Sequence, residues 1–148
     1  MDDRSDSNPP TIEILRPRPQ TLVVALGGEH DLYAAPKLQQ SLDPLVRGCR
    51  HLIVDLSSAE FIDSTTITAL LRAKRLADED GQRFNVVSGA STIAERTLEV
   101  AGVRQSLNVL PSLEQALASP RGTGRDLANS YGGRGARRAP AQDWPPRR

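Results

Sequence analysis

The chain has 148 residues and a formal charge of +1 at pH 7, a length that argues for one domain. The near-neutral total hides a division: seven Arg and two Asp lie in residues 120–148, which leaves 12 basic and 16 acidic residues, a formal −4, in residues 1–119. A mildly acidic folded part is poor ground for nucleic-acid binding. A single cysteine, Cys49, excludes an intramolecular disulfide. No apolar run approaches the length of a membrane span and the polar N-terminus does not read as a signal peptide, so the chain reads as cytoplasmic. Residues 11–118 carry almost all the aliphatic side chains in periodic patterns. Residues 119–148 are basic and rich in Gly, Pro and Arg, with too little apolar surface to offset the entropy of ordering, and are expected to be disordered. Residues 1–10 read the same way.

Residues 11–15 have weak strand character, broken by Pro17 and Pro19. Residues 21–26 form a continuous β-favouring run closed by Gly27 and Gly28. Leu38, Leu42, Leu45 and Val46 recur at helical spacing, with Pro36 suited to a first turn and Gly48 to a C-terminal cap. Residues 51–56 are a buried strand ending before Ser57 and Ser58, and Asp55 fits turn chemistry there. A helix then starts at Asp63 or Ser64 as N-cap. It buries Ile67, Leu70, Leu71, Ala73, Leu76 and Ala77, with the aliphatic stem of Lys74, and ends at Gly81. Its acidic end, Asp78, Glu79 and Asp80, reads as a solvated edge. Residues 84–87 are a short strand. Residues 91–101 form a helix capped by Ser91 or Thr92, with Gly102 past its end. Residues 107–110 are a last strand, and Ser112 caps a final helix over residues 113–118. The order β-β-α-β-α-β-α-β-α predicts an α/β fold: a mixed, mostly parallel sheet of four to five strands with about four helices.

The motif that carries chemistry is Asp63-Ser64-Thr65-Thr66, a carboxylate and three hydroxyls at a helix N-terminus just outside the core. Unpaired amides and the positive end of the helix dipole suit such a place to a phosphate. Asp63 either positions the Ser64 hydroxyl or only caps the helix. Asp31 is either functional or a turn residue, and is expected to lie across from Asp63. Asp31 and Thr66 are expected to be exposed. The second strand and the strand before Ser64 should be parallel neighbours, so their C-terminal ends share the rim where ligands gather in open α/β sheets.

With Gly28-Glu29-His30-Asp31-Leu32, Ala35-Pro36, Ile53-Val54-Asp55-Leu56-Ser57 and Phe61-Ile62-Asp63-Ser64-Thr65 in order, the chain resembles the STAS-domain family, and within it the bacterial anti-sigma factor antagonists. Leu98-Glu99-Val100-Ala101-Gly102 also fits, and the resemblance covers roughly residues 11–118. It implies a single small STAS-like domain acting as a partner switch without catalytic activity of its own. Unphosphorylated, such an antagonist binds an anti-sigma factor with serine kinase activity and frees a sigma factor. Phosphorylation, at the position of Ser64 here, releases it, and a serine phosphatase resets it. Glu29, Asp31, Asp63, Thr65, Thr66 and Ile67 then form the partner surface. Two residues depart from the family pattern. Thr66 stands where Gly is usual and adds a β-branched side chain beside the acceptor. His30 stands where an apolar residue is usual.

Other chemistry is poorly supported. No cofactor is called for. His30 and His51 lack companions at metal-ligand spacing, and Cys49 reads as an ordinary surface or semi-buried thiol. A nucleophilic Ser64 lacks an adjacent base, Gly-x-Ser-x-Gly is missing, and no phosphate-cradling glycine loop is present. Trp144 in the tail reads as idle or a weak docking anchor. The alternative function is a STAS interaction module that binds constitutively, without phosphorylation. Because residues 120–148 hold so little apolar surface, truncation after Ser119 is expected to leave the thermal midpoint nearly unchanged. A calorimetric drop of many degrees would show that the tail packs on the domain.

Overall fold

The computed structural model describes residues 8–90 and 92–118. The expectations for the basic tail, Trp144 and Ser91 lie outside them, and no helix within them is long and apolar enough to cross a membrane. The elements are β1 (Thr11–Arg18), β2 (Thr21–His30), α1 (Ala35–Arg47), β3 (His51–Ile62), α2 (Ser64–Glu79), β4 (Arg83–Val87), α3 (Ile93–Ala101), β5 (Val109–Leu110) and α4 (Leu113–Ala118). They form one five-stranded sheet in the order β1-β2-β3-β4-β5. Only the β1–β2 pair is antiparallel. The mixed α/β architecture read from the sequence is thus the observed one.

Alternation along the strands divides the core. Leu22, Val24, Leu26, Leu52, Val54, Leu56 and Val86 pack with Leu38, Leu42 and Val46 of α1, Leu70, Ala73 and Ala77 of α2, and Ala94 and Leu98 of α3. Val23, Ile53 and Val87 point the other way, onto Ala116, Leu113 and Leu117 of α4. Each such aliphatic contributes roughly 2 kcal/mol by leaving water, and with two phenylalanines in the chain the core is almost wholly aliphatic. Lys74 keeps its stem on the domain and its ammonium on Asp78, 2.6 Å away. Cys49, expected at or near the surface, is fully buried, and loss of solvation pushes its thiol up to about 12, so it stays protonated and unreactive.

Several boundaries differ from the sequence expectation, each for a local reason. Pro17 does not break β1, because an edge strand tolerates a missing donor; pairing becomes irregular between Leu15 and Arg18 instead. Gly27 and Gly28 do not close β2, which runs on to His30. Nor does β3 end at Leu56: it continues to Ile62 through two one-residue bulges. Asp55 supports the first, its Oδ1 accepting from the Ser57 amide at 2.9 Å and the Ser57 hydroxyl at 2.7 Å. The turn chemistry expected of Asp55 is present, but within a continuing strand. Thr92 caps α3 through the Glu95 amide. The last strand shortens to Val109–Leu110, with Asn108 at φ 53 before it. Residues 8–10, expected to be disordered, lie against Gly28, where a Cβ would come 2.1 Å from the Pro9 carbonyl oxygen.

At the opposite end of the sheet His51 is buried, and its Nε2 donates to Asn85 Oδ1 at 2.9 Å. The Asn85 amide group donates to the Asn108 carbonyl. Burial foremost, then the Arg83 charge and more weakly Arg18, against the Asn85 bond, bring His51 down to about 4. The unfolded chain therefore binds more protons than the folded one between about pH 6.5 and pH 4, and stability falls as pH falls through that window. At about 1.4 kcal/mol per pH unit the full loss is at most roughly 3 kcal/mol. Urea unfolding of wild type and His51→Gln at pH 7, 5.5 and 4 checks this: the variant should lack that part of the pH dependence.

Candidate functional site

The parallel β2–β3 register runs out at the pair His30–Ile62, so the next residues, Asp31 and Asp63, leave neighbouring strands on one rim. Asp63 is the N-cap of α2, in extended conformation. Its Oδ1 accepts from the Thr65 amide at 3.0 Å, the Thr65 hydroxyl at 2.6 Å and the Thr66 amide at 3.2 Å. Partial burial pushes the Asp63 carboxyl up, but the bonds from Thr65 and Thr66 outweigh it and hold the group below its usual value. A side-chain cap of this kind contributes about 1 kcal/mol. Of the two roles open to Asp63, capping is the one its contacts display. They come from Thr65 and Thr66, and Ser64 is left exposed at the first helical position.

These bonds separate the hydroxyls. Thr65 is half-buried and donates to Asp63. Thr66, expected to be exposed, is fully buried. Its hydroxyl donates to the His30 carbonyl at 2.9 Å, tying the start of α2 to the end of β2. Its β-branched side chain therefore does not stand on the approach to Ser64. Ile67, also assigned to the partner surface, is 6 % exposed and packs into the main core. Thr66, two residues on, falls on the opposite side of the helix from Ser64, and Ile67 is covered by its core neighbours. One further expectation changes. The first-turn amides of Thr65 and Thr66 are already taken by Asp63, so they are not available to a phosphate on Ser64.

Asp31 opens the turn into α1. Its Oδ1 accepts from the amides of Tyr33 at 3.0 Å and Ala34 at 3.3 Å, so it is a turn residue, and it remains part-exposed at the rim. Glu29 is half-buried. Leu32 and Tyr33 lie in the stretch 28–33 that the sequence assigns to the partner surface, whereas it does not assign Phe61 and Glu60 of β3 to it. Leu32 is 55 %, Tyr33 84 % and Phe61 42 % exposed, and Glu60 is exposed beside Phe61. Phe61 and Leu32 both lie within the family motifs. His30 is buried, with Nε2 3.2 Å from the Thr11 carbonyl and 3.1 Å from the Gly27 carbonyl. Two acceptor partners make Nε2 the protonated nitrogen. A cavity of about 660 Å³ lies elsewhere, against α3, with Glu95 and Arg104 in its lining. Among the described residues no group of three or more His, Cys, Asp and Glu is placed to hold a metal.

Residues 15–112 match the family described as Mlab, STAS domain, and the chain belongs to the STAS-domain family. It is similar to the anti-sigma-F factor antagonist RsfB of Mycobacterium tuberculosis, 29 % identical over 103 residues that cover 68 % of this chain and 81 % of that one. It is also similar to the anti-sigma-B factor antagonist of Staphylococcus aureus, 26 % identical over 87 residues, 58 % and 80 % of the two chains. The crystal structure of an anti-sigma factor antagonist from Mycobacterium paratuberculosis superimposes with a TM-score of 0.69 at 25 % identity, covering 76 % of this chain and 95 % of that one.

The Thr66 hydroxyl joins two elements in a fully buried position, so its loss and its replacement by a charge should differ sharply. Thr66→Val keeps the shape and leaves the His30 carbonyl short of a donor, at a cost of about 1–2 kcal/mol. Thr66→Arg puts an unpaired cation in the same space and should cost more than about 3 kcal/mol, enough to unfold much of a marginally stable domain. Urea denaturation followed by circular dichroism measures both.

Proposed function

We propose that this chain is an anti-sigma factor antagonist whose rim, formed by the ends of β2 and β3 and the start of α2, binds an anti-sigma factor with serine kinase activity. Phosphorylation of Ser64 switches that binding off, a serine phosphatase restores it, and the chain itself catalyses nothing. The observation that carries this reading is the inequality of the three hydroxyls. Ser64 is exposed at the helix start, Thr65 is held by Asp63, and Thr66 is buried against β2. The relatives, named as anti-sigma factor antagonists, support the same role. Glu29, Asp31, Asp63 and Thr65 remain as partner-facing residues, joined by Leu32, Tyr33 and Phe61. Thr66 and Ile67 support the surface from behind.

The switch is electrostatic. A phosphoserine adds nearly two negative charges beside Asp63 and Asp31, with the Thr65 and Thr66 amides already engaged. In a complex with an ATP-using partner the acceptor must face the nucleotide's phosphates, so the product of transfer meets like charge in a site with little water. The alternative of a constitutive binder drew its support from Thr66 standing where a glycine is usual. Buried, Thr66 does not narrow the approach to Ser64.

The test is incubation with the cognate kinase and ATP, followed by intact-mass and tandem mass spectrometry. One phosphate on Ser64 is expected; a phosphate on Thr65 or elsewhere overturns the assignment. In calorimetry Ser64→Ala should bind the kinase like the wild type, and Ser64→Asp at least about tenfold more weakly, a difference of about 1.4 kcal/mol. Equal affinities would remove the electrostatic argument.

A further inference from the structure

The β1–β2 ladder begins at the pair Thr11–Gly27, yet residues 8–10 do not leave the sheet. The Glu29 amide donates to the Asn8 carbonyl at 3.1 Å. Asn8 Nδ2 then donates to Glu60 Oε2 on β3 at 2.5 Å, so the segment crosses β2 from its outer edge to the strand on the other side. The crossing needs Gly28. That residue sits at φ +74, and the Pro9 carbonyl oxygen lies 2.1 Å from where its Cβ would be. Thr11 fastens the inner end, with its carbonyl on the His30 ring and its hydroxyl packed 2.6 Å from the Cβ position of Gly27. Pro9 and Pro10 stiffen the span between these anchors.

We infer that residues 8–11 form the outer wall of the docking rim and take part in selecting the partner. The inference rests on the reading of that rim as the kinase-binding surface. Every residue that the segment fastens belongs to the rim or adjoins it: Glu29, Glu60 beside exposed Phe61, and His30, whose carbonyl holds Thr66. The Asn8 side chain is exposed and stabilises no core, so its hydrogen bond to Glu60 serves to place the segment, and to occupy one carboxylate oxygen of an otherwise acidic edge. The wall, with Glu29, Asp31 and Glu60 around Leu32, Tyr33 and Phe61, fits a partner that presents basic side chains about an apolar centre.

Asn8→Asp sets two carboxylates against each other and should drive the outer end of the segment off Glu60. Asn8→Asp with Glu60→Gln restores a donor–acceptor pair of reversed sense and the original net charge. Calorimetry with the ADP-loaded kinase that phosphorylates Ser64 should give a loss of about tenfold for the single variant and recovery to within about twofold for the double. Thermal midpoints should stay within about 2 °C of one another, since both side chains are exposed and surface changes cost little. If wild type and Asn8→Asp bind alike, the wall has no part in docking and the rim reading stands. If the double variant stays weak, the charge at position 8 acts without the segment and the inference falls. If wild type fails to bind, the rim reading falls and takes the inference with it.

Discussion

The parallel pairing of β2 with β3 is the constraint on which the rest of the molecule depends. These are the two longest strands, and both lie inside the sheet. Every helix packs on a face that their alternation defines, and both ends of the candidate site grow from their last pair, His30–Ile62. A strand that simply alternated would present Phe61 and Ile62 on faces set by Leu52. On the way β3 takes up one extra residue after Asp55 and another at Glu60. Side chains alternate with period two, so each extra residue reverses the facing of the residues after it. The two reversals cancel beyond Glu60: Ala59, between the bulges, is turned into the core, while Ile62 stays buried and Phe61 exposed on the faces that alternation from Leu52 gives. What the bulges change is length: β3 spends two more residues than β2 between the pair Ala25–Asp55 and the rim pair His30–Ile62.

Two hydrogen-bonded hydroxyls then fix the helix entry. Thr65 closes on Asp63 and Thr66 closes on the His30 carbonyl, so α2 is held both to its own cap and to the neighbouring strand. The two departures from the family pattern, His30 and Thr66, meet here, although through the backbone of one and the side chain of the other. The Thr66 bond needs a carbonyl at position 30, which any residue supplies. The imidazole does separate work, holding the start of β1 and the turn of β2 together through Thr11 and Gly27.

The order of elements was legible in the sequence because each helix shows a 3.6-residue apolar period and most carry a capping residue or a terminal glycine. Asp63, Thr92 and Ser112 could be read as caps without knowing what they pack on. The exposed Ser64 at a helix start and the Asp63 carboxylate before it were legible for the same reason. What could not be read was whatever depended on a partner strand. Ser57 and Ser58 look like a turn because they are polar and come after an apolar run; only pairing with Gly27 and its neighbours makes them bulged strand. Thr66 looks like a surface hydroxyl, and its burial depends on a carbonyl 36 residues earlier. The segment over Gly28 looks like a loose terminus because prolines and polar residues carry no period.

A charge placed at Ser64 bears differently on the fold and on a complex, and magnitudes decide which feels it. At an exposed helix start, two unit charges about 5–6 Å apart repel by about 1 kcal/mol or less in water-like surroundings, comparable to one helix cap. Neither the core nor the Asp63 cap is threatened, because the Asp63 oxygen that caps the helix is engaged with Thr65 and Thr66 and does not hold Ser64. When a partner covers the rim and water leaves, the effective dielectric constant falls toward about 20 and the same repulsion grows about fourfold. A modification that the free domain absorbs thus becomes a large penalty in a covered interface. That asymmetry follows from the place of Ser64 outside the capping network, and it would be lost if the exposed hydroxyl were the one bonded to Asp63.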